Sequence, residues 1–306
     1  MHPWKISLIA LVATPLVGIA TPPRQATPGS QLLFNANSDG VNTHFEYKWR
    51  GHTATEKADF SLSNTTLLMD KETFQDVPAC LSDIFQSLNH EKAWVERSYG
   101  VKVDFVQKEN GWTNRVTGPG EQPTLAQEYL ASRNTLIENG VFARRLYRRT
   151  PIGELSPDHV AISRRYASDM RNVSFALRES GEKPRTTVAR CLSFIQAIPY
   201  STELNAAGLL SPVSMLMENK GDCDTKCAAL AAILKNYGIS SVFVTINKHM
   251  LMGINIPSSP ADMTITVGNT KYVLAEPTGP SNIPLGKVDT DLSGELEVSE
   301  PTIVTR

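Results

Sequence analysis

Between residues 223 and 276 the hydrophobic period of the chain changes once, and that change narrows the fold more than any other feature. CDTKCAALAAILKNYGI (223 to 239) carries apolar residues at helical spacing and is closed by Gly238. SVFVTI (241 to 246), HMLMGINI (249 to 256), MTITV (263 to 267) and KYVLAE (271 to 276) then read as short strands separated by turn residues. One helix feeding consecutive strands through hairpin-length links predicts an α+β fold, with the helix packed on an antiparallel sheet.

Upstream, HFEYKWRG (44 to 51) alternates Phe45, Tyr47 and Trp49 with polar residues, and ADFSLS (58 to 63) follows after a polar turn, so the pair predicts a hairpin. Residues 79 to 100 space Leu81, Ile84, Phe85, Leu88, Trp94 and Val95 as a helix does, and VKVDFVQ (101 to 107) reads as a strand. The stretch 108 to 124, rich in Gly, Asn, Pro and Thr, is the expected domain boundary. Helical spacing then dominates 125 to 149, 158 to 180 and 186 to 200. Within it Arg144, Arg145, Arg148 and Arg149 form a basic cluster, read as a solvated helix face in preference to an anion site.

Thirty Lys and Arg side chains face 31 Asp and Glu, a formal charge of −1 that gives no global attraction to nucleic acid or to an anionic membrane. The start, MHPWKISLIALVATPLVGIA, has Lys5, an apolar run broken by Pro15, and small residues at Gly18 and Ala20. That order of features predicts a signal peptide over residues 1 to 20, cleaved after Ala20. The run is too short for the roughly 20 apolar residues of a bilayer span, and no second long apolar run follows. The expected mature protein is therefore exported, periplasmic or secreted, with no integral span. In an oxidising compartment spare thiols pair, so a free Cys223 leaves at most one bridge among Cys80, Cys191 and Cys227, and the sequence leaves its partners open.

NKGDCDTKC (219 to 227) places Cys223 at the start of the helix behind the capping residue Asp222. Unsatisfied N–H groups and the positive end of the helix dipole favour an anion there, and a thiolate is one. Asp222 and Asp224 oppose this with negative charge, so the thiolate needs a positive partner. His249, opening the second strand after the helix, is the expected base, and Glu276, ending KYVLAE, the expected orienting acid. A metal site built on Cys223, Cys227 and His249 lacks a fourth ligand.

IPYSTE (198 to 203), GDCDTKCAALAAILKNYGISSVFVTI, the HM pair and YVLAEPTG together resemble the transglutaminase-like superfamily of papain-type cysteine enzymes in its bacterial exported form. The resemblance runs from Cys191 to about Gly279. It implies a nucleophile at Cys223, a base at His249 and an orienting acid at Glu276. The family commonly has Asp at the third position, and the interval from His249 to Glu276 is long for it. The implied activity is a cysteine peptidase or amide hydrolase acting through a thioester on protein or peptide, without a catalytic cofactor. A transglutaminase-type acyltransferase and a non-catalytic peptide-binding module are the alternatives. Oxyanion donors are expected from the Cys223 N–H and the side chains of Gln196 or Tyr200. On this reading residues 21 to 124 form an accessory region, 125 to 279 the catalytic domain and 280 to 306 a tail.

That tail contains DTDLSGELEVSE (289 to 300), which matches a twelve-residue calcium loop position by position. Asp289, Asp291, Ser293, Glu295 and Glu300 would be its ligands, with Gly294 at the turn. No helix precedes it, and an acidic solvated tail is the competing reading.

Overall fold

The computed structural model describes residues 30–73, 77–108, 111–150, 155–202, 204, 209–279 and 282–303. The expected signal peptide lies outside the described residues. Two compact units make up the chain, one from Met1–Asp70 with Ile162–Arg306 and the other from Lys71–Ala161. In sequence, the second interrupts the first.

The first unit begins with strands β1 (Gln31–Ser38), β2 (Asn42–Arg50) and β3 (Thr55–Ser63), followed by helix α1 (Asn64–Thr73), which crosses the division. The second contains α2 (Val77–Tyr99), β4 (Lys102–Lys108), β5 (Gly111–Thr117), α3 (Gln122–Arg145), β6 (Tyr147–Arg149) and β7 (Leu155–Pro157). Helix α4 (His159–Tyr166) leads back into the first unit, which continues with α5 (Arg171–Ala176), α6 (Pro184–Ala197), α7 (Pro212–Glu218) and α8 (Cys223–Lys235). It closes with β8 (Ser241–Ile246), β9 (His249–Ile254), β10 (Thr264–Val267), β11 (Thr270–Ala275) and the short β12 (Glu297–Val298).

Helix α8 is apolar on every face, and such a helix has to be enclosed. Every residue from Thr225 to Leu234 is buried. It packs against β8, β9, α5, α6 and α7, and its four alanines, Ala228, Ala229, Ala231 and Ala232, keep those neighbours close. The sheet beside it has the order β10-β11-β9-β8-β12, antiparallel at each pairing. The mixed α+β architecture expected from the sequence is therefore present.

The opposite face of this sheet buries Val242, Val244, Ile246, Leu251, Ile265, Tyr272 and Leu274. Chain from the carboxy-terminal tail covers it, with Val288, Leu292, Leu296 and Val298 packed on that cluster. From Val288 to Val298 the tail alternates half-buried and exposed residues without a break, the period of a segment lying on a surface.

The β2–β3 hairpin forms as expected, with β1 added on its outer edge. Phe45, Tyr47 and Trp49 share one buried face; Phe45 stacks on Phe60, and Tyr47 and Trp49 pack against Phe194 of α6 at 5.1 and 5.3 Å between ring centroids. Trp49 Nε1 donates to Ser193 Oγ (3.1 Å), and Tyr47 Oη donates to the Leu216 carbonyl (3.1 Å). A row of large aromatics needs an apolar partner, and α6 supplies it. The hairpin is thus part of the unit that holds Cys223, where the sequence had set it apart as an accessory region.

The expected boundary at 108 to 124 also differs from the observed division: Gly111–Thr117 pairs with Lys102–Lys108 inside the second unit. The second unit has its own core, with Cys80, Ile84 and Leu88 of α2 against Val141 and Phe142 of α3. In the arginine cluster, Arg145 pairs with Asp83 (2.7 Å) and Arg149 with Glu138 (2.8 Å). All four cysteines are free thiols. Cys191 and Cys227 are fully buried apart from one another, Cys191 beside the Tyr237 hydroxyl and Cys227 donating to the Met250 carbonyl (3.4 Å).

Lys226 is the exception on α8, a fully buried lysine whose Nζ donates to the Ile198 carbonyl at 2.5 Å. Burial pulls its amine down to about 7, because the interior disfavours the charged form. In the unfolded chain the same amine titrates near 10.5, so between these values the unfolded state binds more protons and stability rises with pH. Denaturant titrations at pH 7 and pH 10 should show a gain in stability that Lys226→Met lacks. An identical pH dependence in both proteins would place the amine in water instead.

Candidate functional site

Three local devices build the site. The first is the start of α8, where Asp222 caps the helix by accepting from the Thr225 N–H (2.9 Å). Asp222, Cys223 and Asp224 are half-buried and everything after them is enclosed, so the nucleophile candidate stands where the helix emerges from the core. The segment that follows α6 is tied to this start: Gly221 N–H donates to the Pro199 carbonyl (3.1 Å) and Ser201 N–H to the Gly221 carbonyl (3.2 Å). Tyr200, 44% exposed, is held between those bonds. Burial first, then the neighbouring Cys223, Asp222 and Asp224, push its phenol up, so it remains a donor.

The second device is the β8–β9 turn. Asn247 and Lys248 both adopt the left-handed region (φ 49° and 64°), and Ile246 pairs with His249 across them. Such a two-residue turn matches the twist of the strands and fixes their register. It makes His249 the first residue of β9.

The third is the return of the chain through β10 and β11. Strand β10 pairs only at the sheet edge while β11 lies directly beside β9, so the long interval from His249 to Glu276 is the length of that detour. Glu276 follows the last residue of β11 and is buried. His249 Nε2 lies 3.0 Å from Glu276 Oε1 and 3.1 Å from Oε2. A carboxylate only accepts, so Nε2 carries the proton and Nδ1 is left with the lone pair. The hydrogen bond from Glu276 raises the imidazole above the ordinary histidine range, against the opposing effect of burial.

Two further contacts lock this corner. Gln196 Nε2 donates to the backbone carbonyls of Glu276 and Ile283, each at 2.8 Å. Gly279 passes so close to α6 that a Cβ there would lie 2.1 Å from the Gln196 carbonyl oxygen. Both amide hydrogens of Gln196 are thereby engaged, which removes it as the oxyanion donor expected from the sequence. Tyr200 and the Cys223 N–H keep that expectation.

Cys223 departs from the sequence expectation. Its thiol is a donor, to Asp224 Oδ1 at 3.2 Å, and the Met250 backbone amide, near the sulfur, favours the thiolate. The proton goes to Asp224 and not to His249, the residue before Met250. Burial first, and Asp224 second, push the thiol up to about 12, outweighing the helix dipole and the Met250 amide. The reason lies in the sheet. Helix α8 rests on one face of β9, while period-two alternation gives His249 the face of Leu251 on the other. Nucleophile and base candidates are therefore carried on opposite faces of β9, and among the described residues no hydrogen bond joins them.

Three of the residues expected as calcium ligands are bonded to protein groups. Asp291 accepts from the N–H and Oγ of Ser293 (2.9 and 2.8 Å), and Glu300 pairs with Arg164 (3.1 Å). Asp289, Asp291, Ser293 and Glu295 are on the exposed phase of the tail's alternation. Among the described residues no group of three or more His, Cys, Asp or Glu side chains is gathered for a metal ion. The outward positions are acidic or polar, while Val288, Leu292, Leu296 and Val298 on the inward phase are taken by the sheet.

Lys226 and Thr290 are site neighbours that sequence reasoning missed. A lysine inside an otherwise apolar helical run was a visible signal for the first. Thr290 was hidden by the calcium pattern around it. Comparison of the chain with family models, with characterised proteins and with solved structures found no significant match.

Replacing Asp224 by Asn should remove a negative charge and a strong acceptor from the thiol. Alkylation by iodoacetamide at pH 7 should then quicken by about tenfold for each unit the thiol falls. Equal rates in wild type and D224N would show that Asp224 does not control the sulfur.

Proposed function

We propose that the protein is an exported cysteine amide hydrolase of transglutaminase-like type, acting on a protein or peptide substrate. The observation that supports this best is the buried carboxylate of Glu276 on His249 Nε2, at the start of the strand whose next amide, that of Met250, favours the Cys223 thiolate. An imidazole oriented through one nitrogen with the other basic is what acyl transfer asks of a general base.

The raised thiol fixes the order of events on this reading. Cys223 starts neutral, so the Sγ–H proton passes to His249 Nδ1 as the sulfur attacks the substrate carbonyl carbon. Glu276 stabilises the imidazolium that results. The Cys223 N–H and the Tyr200 hydroxyl face the developing oxyanion. His249 then protonates the leaving nitrogen, the C–N bond breaks and a thioester remains. Water adds to the thioester, giving its proton to His249, and the thiol is restored as the acid leaves. Transamidation would differ only in an amine replacing that water.

Export suits the cysteine distribution, because Cys80, Cys191 and Cys227 are buried from oxidants and only Cys223 is partly open. The Cys223–Asp224 bond is the observation favouring the rival, a peptide-binding module that retains the fold without turnover.

Peptide amide cleavage by the isolated protein tests the proposal. Cys223→Ser should abolish it, and Glu276→Gln should lower kcat by roughly 100-fold or more. Since the base must be neutral, the wild-type rate should rise with pH through a midpoint above the ordinary histidine value of about 6.5. Glu276→Gln should move that midpoint down. Cleavage that survives Cys223→Ser, or a pH profile indifferent to Glu276, would refute the assignment.

A further inference from the structure

The carboxy-terminal tail is absent from the roles given above, yet it touches the acid of the proposed pair. Thr290 Oγ1 donates to Glu276 Oε2 at 3.1 Å, and the Thr278 N–H approaches Oε1 at 3.4 Å. One carboxylate oxygen is thus held by the turn after β11 and the other by a side chain fourteen residues on. Both oxygens also face His249.

Several independent contacts aim Thr290 there. Period-two burial sets it on the inward phase with Val288, Leu292, Leu296 and Val298, which pack on the sheet face shared by Leu251 and Leu274. The same alternation places His249 and Glu276 on that face. Further on, Gly294 lies against the β8–β9 turn, where a Cβ would come within 2.9 Å of Asn247 Oδ1. Strand β12 pairs with β8, Val298 opposite Val244. The end is fastened by Thr302, whose Oγ1 accepts from the Ser241 N–H (3.0 Å) and whose carbonyl accepts from Arg164 Nε (3.1 Å). A segment anchored at both ends and along its length has little freedom at its inward hydroxyl.

We propose that residues 282–303 form a strap that completes the site, and that Thr290 is a positioning residue which fixes the Glu276 carboxylate for His249. This inference rests on the hydrolase reading for its consequence in turnover. Its geometric content, the strap's hold on the His249–Glu276 pair, does not. The strap sets one carboxylate rotamer in a buried corner where free rotation would break the imidazole bond. Other charged or titratable groups near the pair are Asp224, Lys226 and Cys227, all on α8. None of them occupies the tail, so a change at residue 290 reaches His249 through Glu276.

The test compares Thr290→Val with Thr290→Ser in the full chain, reading the His249 ring titration by NMR alongside peptide cleavage. T290V should move the titration midpoint down by about half a unit or more. Its kcat should fall about tenfold with KM little changed, the mark of lost orientation and not of lost binding. T290S should restore both. In a Glu276→Gln background T290V should add nothing to the shift, since the threonine acts through that carboxylate. A T290V midpoint equal to wild type, or an equal further shift in the E276Q background, overturns the strap. Should T290V fail to fold, Thr290→Ala against Thr290→Ser carries the same comparison. Absence of cleavage in the wild type with the His249 shift intact would remove the hydrolase and leave the strap standing.

Discussion

Enclosure of α8 is the constraint on which the other features depend. Ten consecutive buried residues from Thr225 to Leu234 demand partners on all sides, and the chain meets that demand with the sheet on one side and α5, α6 and α7 on others. Burial of this kind is the dominant favourable term in folding. It also decides where chemistry can happen. Between its ends the helix is sealed, so at its amino-terminal end a polar side chain facing solvent has to stand at Asp222, Cys223 or Asp224. Lys226, one turn further in, is already sealed and gives up most of its basicity to remain.

The same enclosure makes the electrostatics of that corner unusual. Asp222, Asp224 and Glu276 bring three carboxyl groups near one imidazole and one buried amine. Each group responds as the local balance of charge and burial requires: the thiol is pushed up, the imidazole is raised and the amine is drawn down. An ion pair between thiolate and imidazolium is what a helix start alone would suggest. The carboxylate directly after the cysteine reverses the suggestion. Those charges favour a neutral thiol and hold a proton on the imidazole to higher pH than usual, so on the proposed reading the ring must first be neutral and proton transfer belongs to the attack itself.

Much of this was legible in the sequence because it depends on local pattern. The α8 run, the four strands after it, the aromatic alternation of Phe45, Tyr47 and Trp49, and the Asp222 cap all follow from spacing within a few residues. The meeting of His249 and Glu276 was legible too, through strand order, and the detour through β10 accounts for the interval between them. What escaped was non-local. The aromatic hairpin belongs with α6, more than a hundred positions away in sequence, and nothing within 44 to 63 says so. The direction of the Asp224 side chain, toward the thiol and not away from it, decides the charge on the sulfur, and a one-dimensional pattern carries no side-chain direction. Gln196 was read as a donor to substrate because its neighbours suggested a site; its two partners, the carbonyls of Glu276 and Ile283, come from the far side of the sheet sequence.

The tail shows how one pattern can obey two physical rules. Acidic or polar residues at every second position suit a loop that wraps a cation, where alternate side chains converge. They suit equally a segment laid on an apolar surface, where alternate side chains diverge. The residues between them show that this tail lies on such a surface: Val288, Leu292, Leu296 and Val298 make an apolar row, interrupted by Thr290 and Gly294. Each break has a counterpart on the sheet: Gly294 fits the Asn247 turn, and Thr290 meets the one buried carboxylate that the row crosses. A polar side chain inside such a row is costly unless it is paired, so the position of Thr290 and the burial of Glu276 explain one another.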